Sequence, residues 1–121
     1  AVVSEVMGDG VIDSSDRAFV LRSNAATAET TGFVVRGAGS VAPVVATSDI
    51  GWGIEATFSR ENLALAPGQK ASIMTFVVFG RGAQAATVQG RTVALRDLTD
   101  PGALQGLSAA DRALIINWIL P

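Results

Sequence analysis

Residues 63–79 read LALAPGQKASIMTFVVF and contain the clearest β-hairpin pattern in the chain. Leu63 and Leu65 alternate with alanine, and residues 66–69 fit a type II turn, with proline at the second position and glycine at the third. Residues 71–79 are the most hydrophobic stretch of the sequence. We therefore expect the turn to close a hairpin whose return strand, 71–79, lies at the centre of the sheet packing.

Further strand patterns precede this hairpin. Residues 52–58 (WGIEATF) alternate apolar and small or polar side chains at period two, which is typical of a strand with one buried face. Pro43 confines any strand within residues 40–51 to a sheet edge, because proline has no backbone N–H to donate. More strands are predicted for three shorter apolar runs, at 2–7, 17–22 and 32–36.

The last third of the chain has helical patterns. Residues 83–98 are alanine-rich and predict a helix, although a hairpin around Gln89 and Gly90 is the alternative. Ser108 to Asp111 resemble a capping box with Asp in place of Glu, which predicts the start of a final helix. The apolar stripe of that helix would consist of Leu114, Ile115, Trp118 and Ile119, with Trp118 in the core.

These patterns predict a mainly β fold, an antiparallel β-sandwich with C-terminal α-helices packed on it. The 121 residues, 49% of them hydrophobic and 17% charged, suit a single domain with one core. Within residues 1–121 we expect a β-sheet part at 1–80 and a helical tail at 83–121. The chain as a whole is then either a complete sandwich or part of a larger one.

The composition argues against several classes of function. The chain has no cysteine and no histidine, which removes disulfides, thiol catalysis and the Ser-His-Asp triad. Nine basic and eleven acidic residues are scattered, so nucleic acid is not an expected partner. The longest apolar run, Ile73 to Phe79, is interrupted only by Thr75 and is far shorter than the roughly 20 residues of a membrane span. We expect neither a membrane span nor an enzyme that works alone.

The string DGVIDSSD at residues 9–16 is the most suggestive for chemistry. It resembles the second half of a dockerin or EF-hand calcium loop, in which the carboxylates would come from Asp9, Asp13 and Asp16. An earlier ligand position falls on Met7, which cannot bind a hard cation. The alternative is a polar connection in which these aspartates cap turns and pair with Arg17. Calcium is the one candidate cofactor.

Two other candidate sites rest on single residue types. Trp52 stands between two glycines and is a candidate for an exposed binding surface, since flat aromatic rings stack on ligands. A carboxylate pair for glycoside hydrolysis would have to come from Asp49, Glu55 and Glu61. Glu55 and Glu61 are also ordinary positions for solvated side chains, so we assign no catalytic residues.

Several strings together resemble a known kind of module. DGVIDSSDRAFVLRS (9–23), LALAPGQKASIMTFVVFGR (63–81), an alanine-rich stretch and LTDPGALQGLSAADRALIINWILP (98–121) are similar to the later part of a β-sandwich module found repeatedly in large exported bacterial proteins. The shared motifs are a turn, two caps and apolar strands, and these carry no chemistry. The resemblance implies an extracellular or cell-surface location and strands that precede Val2.

From the residues and the resemblance we expect a non-catalytic accessory or interaction module of an exported or cell-surface bacterial protein. One alternative is a structural domain of a larger polysaccharide-active enzyme, and another is a calcium-stabilised binding module. Because the resemblance implies further strands, we expect an exposed apolar sheet edge or face that another polypeptide covers. That polypeptide would be a protein partner, the remainder of the parent polypeptide or a second copy of the chain.

Overall fold

The computed structural model describes residues 3–5, 10–23, 29–41, 44–49 and 54–121. The strands within these ranges are β1 (Val3–Glu5), β2 (Ala18–Ser23), β3 (Glu29–Val34), β4 (Val44–Asp49), β5 (Ile54–Ser59) and β6 (Phe76–Arg81). A 3₁₀ turn at Gly82–Gln84 leads into helix α1 (Ala85–Arg96), and helix α2 (Ala109–Leu114) follows. An antiparallel sheet with C-terminal helices is present as predicted, in a mixed α/β arrangement.

Four of the described strands form one antiparallel sheet in the order β1-β2-β3-β6, and β4 pairs with β5 separately. β6 is therefore an edge strand of the sheet that the described residues form. The prediction that residues 71–79 lie at the centre of the sheet packing is wrong. Their high hydrophobicity favours a central strand, but the side chains of β6 alternate between half-buried and exposed.

The predicted turn at residues 66–69 forms, but it does not close a hairpin. The Gln69 N–H donates to the Ala66 carbonyl at 2.9 Å, and Gly68 has a φ of 81°, which favours glycine. Residues 61–70 are exposed throughout and belong to none of the strands. Leu63 and Leu65 are exposed, so the described residues do not bury the apolar face of this flank, and its local alternation does not make a strand.

Helix α1 packs on one face of the four-stranded sheet, against β2, β3 and β6. Its buried side chains are Val88, Thr92 and Leu95, which confirms the helix prediction for residues 83–98. Gly32 on β3 lets the helix approach closely, because a Cβ atom there would collide with the Thr92 side chain. The buried Thr92 hydroxyl donates to the Val88 carbonyl at 2.7 Å and is thereby satisfied.

Helix α2 begins where the sequence predicts and ends earlier. The Ser108 hydroxyl accepts from the Asp111 N–H at 3.1 Å, and the Asp111 carboxylate accepts from the Ser108 N–H at 3.0 Å, which completes the capping box. The helix ends at Leu114, and Ile115 has extended backbone angles of φ −75° and ψ 120°. The predicted helical stripe that continues to Ile119 is therefore wrong.

Long-range backbone pairing explains this early end. The Ser72 N–H donates to the Leu114 carbonyl at 2.7 Å, within a parallel bridge between the two segments. The side-chain amide of Asn117 donates to the carbonyls of Val35 at 2.8 Å and Met74 at 2.7 Å, and its oxygen accepts from the Met74 N–H at 2.9 Å. Residues 115–118 thus form an extended segment that joins two other parts of the chain. We call this segment the C-terminal clasp.

Trp118 belongs to the core, as predicted, although it lies in the clasp and not in a helix. It is 5% exposed and packs with Ala18, Val34 and Leu95. Its indole N–H donates to the Met74 carbonyl at 2.8 Å, so the polar atom of the ring is satisfied inside the core. The core therefore lies between the helix-covered face of the sheet and the clasp.

Candidate interaction surface

The pleat of β6 sends successive side chains to opposite faces of the sheet. Val78 is the register partner of Gly32, which meets Thr92 of α1, so Val78 lies on the face that the helix covers. Val77 and Phe79 lie on the other face, which we call the open face. Val77 is 47% exposed and Phe79 is 77% exposed. Two large apolar side chains therefore stand in solvent on neighbouring positions of one face.

The open face is covered over β2 and uncovered over β6. Phe58 of β5 stacks on Phe19 with ring centroids 5.6 Å apart, and Phe19 stacks on Phe33 at 5.1 Å. Phe19 is fully buried, whereas Val77, the register partner of Phe33 in the same row, is about half exposed. Exposure thus rises across the open face toward the β6 edge.

A groove of about 550 Å³ runs along the outer edge of β6. Five consecutive residues, 75–79, line it. Since successive side chains of a strand point to opposite faces, what all five residues present to the groove is the backbone at the strand edge. The opposite wall consists of Arg91, Leu95, Asp100, Gly102, Ala103 and Gln105. No strand pairs with this edge within the described part of the chain. Its outward backbone groups are therefore positioned to pair with an added strand.

The groove presents positive charge to solvent. Arg91 Nε lies 3.5 Å from Asp100 Oδ2, but the arginine side chain is 65% exposed and the aspartate side chain only 17%. The second Asp100 oxygen accepts from the Gly102 N–H at 2.8 Å, which uses the carboxylate as a turn cap. An exposed pair of this kind contributes little to stability. The guanidinium of Arg91 is therefore the charged group that a ligand in the groove would meet.

A second groove, of about 530 Å³, lies beside Trp118 and contains ionic groups. Arg17 donates to the Arg96 carbonyl at 2.8 Å, and Arg96 makes two hydrogen bonds to Asp97, at 3.0 and 2.8 Å. The hydrogen bond from Arg96 holds the pKa of Asp97 below its usual value. An aspartate held ionised by arginines is a poor proton donor near neutral pH. These groups bind one another at the C-terminal end of α1.

The candidate calcium ligands Asp13 and Asp16 lie in one turn. The Asp13 carboxylate accepts from the Ser15 hydroxyl at 2.6 Å and from the Ser15 N–H at 2.7 Å, and these bonds lower the pKa of Asp13. The Asp16 carboxylate accepts from the Asp13 N–H at 2.9 Å. This is turn capping of the kind expected under the alternative interpretation. Among the described residues no group of three His, Cys, Asp or Glu side chains is arranged to hold a metal ion.

The third candidate ligand, Asp9, lies outside the described residues, so calcium binding stays a prediction. Thermal melting of the chain with calcium and with a chelator tests it. A cation that binds the folded chain alone raises the melting temperature, so coincident curves would remove the site.

The described residues do not bring the other sequence candidates together. Trp52 lies outside the described residues. Glu55 and Glu61 are exposed, as expected for solvated side chains, and the side chain of Asp49 lies outside the described residues.

The surface residues Val77, Phe79 and Arg91 were missed by sequence reasoning. The hydrophobicity of residues 71–79 predicts a strand at the centre of the sheet packing and hides the difference between the two faces. Lysine and proline commonly mark an edge strand, and β6 contains neither, so its edge position has no clear signal in the sequence. Arg91 stood out only as one of several scattered arginines.

Comparisons with known proteins do not assign the chain to a family. No protein-family model matches it, and neither the curated proteins nor the solved structures contain a match. Within the part that the structure describes, no helix is long and apolar enough to cross a membrane.

Proposed function

We propose that the chain is a non-catalytic accessory or interaction module of an exported or cell-surface bacterial protein, and that the open face over β6 docks another polypeptide. The observation that carries this proposal is Phe79, 77% exposed beside the half-exposed Val77 on an edge strand. Large apolar side chains grouped on an unprotected edge mark sites of protein interaction. A protein with such a surface stays soluble when a partner covers the apolar side chains.

The proposal includes a sandwich in which β4 and β5 belong to a second layer. The stacking of Phe58 on Phe19 supports this arrangement, because it brings β5 onto the open face. A second layer that continued across the sheet would also bury Val77 and Phe79. In the proposal, the strands that complete it come from the docked partner or from the remainder of the parent polypeptide.

The C-terminal motif supports a role without chemistry. Arg112 donates to the Leu104 carbonyl at 3.2 Å and to the Leu107 carbonyl at 3.3 Å, so its guanidinium holds the turn before α2. Ser108 caps the helix, and Asn117 holds the clasp. These polar side chains bind backbone groups of the chain itself, which is typical of a structural role.

Photo-crosslinking from the open face tests the proposal. The full chain carries p-benzoylphenylalanine in place of Phe79 and is expressed in its native host. The matched control carries the same residue in place of Leu65, which is 46% exposed on the loop at 61–70. We expect one crosslinked polypeptide from position 79, identified by mass spectrometry, and only background from position 65. Equal yields at the two positions, or turnover of a polysaccharide by the isolated chain, would contradict the proposal.

A further inference from the structure

We infer that the groove along the outer edge of β6 binds an extended peptide strand with an acidic side chain, which adds to the four-stranded sheet. This inference rests on the proposed function and names the chemistry of the docked partner. Three features of the groove carry it: a backbone edge, an alternation of apolar side chains, and the exposed guanidinium of Arg91.

The backbone edge determines the conformation of the ligand. Residues 76–80 read FVVFG and contain neither proline nor a charged residue, which are the usual protections of an edge strand. Unpaired N–H and C=O groups along such an edge bind another chain in the extended form, and this is a common mode of peptide recognition. The five residues that line the groove span roughly 16 Å at the rise of a strand. The bound segment is therefore a short strand of about five residues.

The far wall of the groove favours a single strand over a second copy of the chain. Asp100, Gly102, Ala103 and Gln105 stand across from the β6 edge, beside α1. A second copy that paired through its own β6 would bring its own α1 and following turn to the same side of the extended sheet. A peptide strand needs only the groove itself.

The two faces of the sheet determine the side chains of the ligand. On an added strand, alternate side chains lie on the open face beside Val77 and Phe79, where apolar residues would bury exposed surface. The other side chains point toward the α1 side, where Arg91 is 65% exposed and Asp100 is nearly covered and used as a cap. Charge complementarity therefore calls for a carboxylate at one of these positions. The ligand alternates apolar and polar residues, with an acidic residue among the polar ones.

Fluorescence anisotropy with labelled peptides tests this inference on the full chain. The probe is the nine-residue peptide TVTVEVTVT, and its control has lysine in place of the glutamate. We expect the acidic peptide to bind about tenfold more tightly than the lysine peptide, since a favourable charge contact is replaced by a repulsive one. Arg91→Glu should reverse this preference. Arg22→Glu, an exposed change on β2 outside the groove, should leave it unchanged.

Backbone methylation separates strand addition from adhesion to the apolar patch. Two further peptides carry N-methyl groups on alternate residues, one set in each. An added strand directs only one set of N–H groups at β6, so one methylated peptide should lose binding and the other should retain it. Circular dichroism of each variant protein confirms that the fold persists.

Several results would overturn the inference. These are equal affinities for the acidic and lysine peptides, equal effects of Arg91→Glu and Arg22→Glu, and equal binding of the two methylated peptides. A dimer in sedimentation that Val77→Lys disperses would assign the edge to a second copy instead. If the crosslink at position 79 forms while the peptides fail, the proposed function stands and this inference is wrong. If neither the crosslink nor peptide binding is observed, the proposed function and this inference are both wrong.

Discussion

The two faces of the four-stranded sheet come from the same strands and differ in what covers them. Val20 and Val34 are fully buried on the face that meets α1, whereas Val77 is 47% exposed on the open face. Valine has the same side chain at all three positions, so hydrophobicity does not explain the difference. The helix and the C-terminal clasp cover one side of the sheet, whereas on the other side Phe58 of β5 covers Phe19 of β2 and the side chains of β6 stay exposed.

The largest loss of folding stability is expected when the C-terminal clasp, which closes the helix-covered side of the sheet, is broken. Asn117→Asp replaces the donor to the Val35 and Met74 carbonyls by a carboxylate oxygen, which leaves the Val35 carbonyl without its donor and the Met74 carbonyl with the Trp118 indole N–H alone, both next to a negative charge. We expect a loss of about 3 kcal/mol or more in the free energy of unfolding, measured by urea denaturation. The matched change Asn62→Asp, at an exposed position, should stay within about 0.5 kcal/mol. Similar losses for both would refute this role of Asn117.

The contact between sheet and helix is tested by two glycine replacements with opposite expected signs. Gly32→Ala places a methyl group against Thr92 and should destabilise the chain by about 1–3 kcal/mol through overpacking. Gly90→Ala lies within α1 with open space around its Cβ position and should stabilise it by about 0.5–1 kcal/mol. Thermal unfolding distinguishes the two. A stabilising effect of Gly32→Ala would show that α1 does not approach the sheet this closely.

One substitution made on both faces sharpens the comparison directly. Val34→Thr buries a hydroxyl on the helix-covered face and should cost about 1–3 kcal/mol. Val77→Thr makes the same change on the open face and should stay within about 0.5 kcal/mol, because water reaches that position. Urea midpoints of the two variants give the difference. Equal costs would mean that the open face is covered in the free chain.

The smallest change in folding stability is expected at the N-terminal cap of α2. The hydrogen bond from the Ser108 hydroxyl lowers the pKa of Asp111, so the ionised carboxylate contributes stability above its unfolded pKa of about 3.9. That contribution is lost as the pH falls through the lower folded pKa. The stability difference between the wild type and Ser108→Ala should therefore be full at pH 6 and shrink below about pH 3.9. Ser14→Ala, in the exposed turn at 13–15, should show no such trend.

Features decided by neighbours in sequence were predictable. The turn at Gly68, the capping box at Ser108 and helix α1 depend on residues a few positions apart, and all three form. The edge position of β6 and the early end of α2 were not predictable. Among the described strands β6 pairs with β3 alone, and α2 ends where Leu114 bonds to Ser72; no periodic pattern in the sequence connects these partners.

In the candidate site, too, contacts between sequence neighbours were predictable and contacts between distant residues were not. The local hydrogen bonds of Asp13 match the turn chemistry expected from the sequence. The juxtaposition of Arg91, Asp100 and the β6 edge arises only when α1 packs on the sheet and the chain turns back after it. An arginine on the exposed side of a helix has no sequence signature that separates it from a solvated one.

The clasp also sets the order in which the chain can mature during synthesis. Asn117 bonds to Val35 from 82 positions further along the chain, and Trp118 fills the core beside Ala18. While residues 115–118 are still inside the ribosome, the helix-covered side stays unlocked, because contacts this distant in sequence form last. The helix-covered side of the sheet therefore closes only after residues 115–118 have emerged from the ribosome.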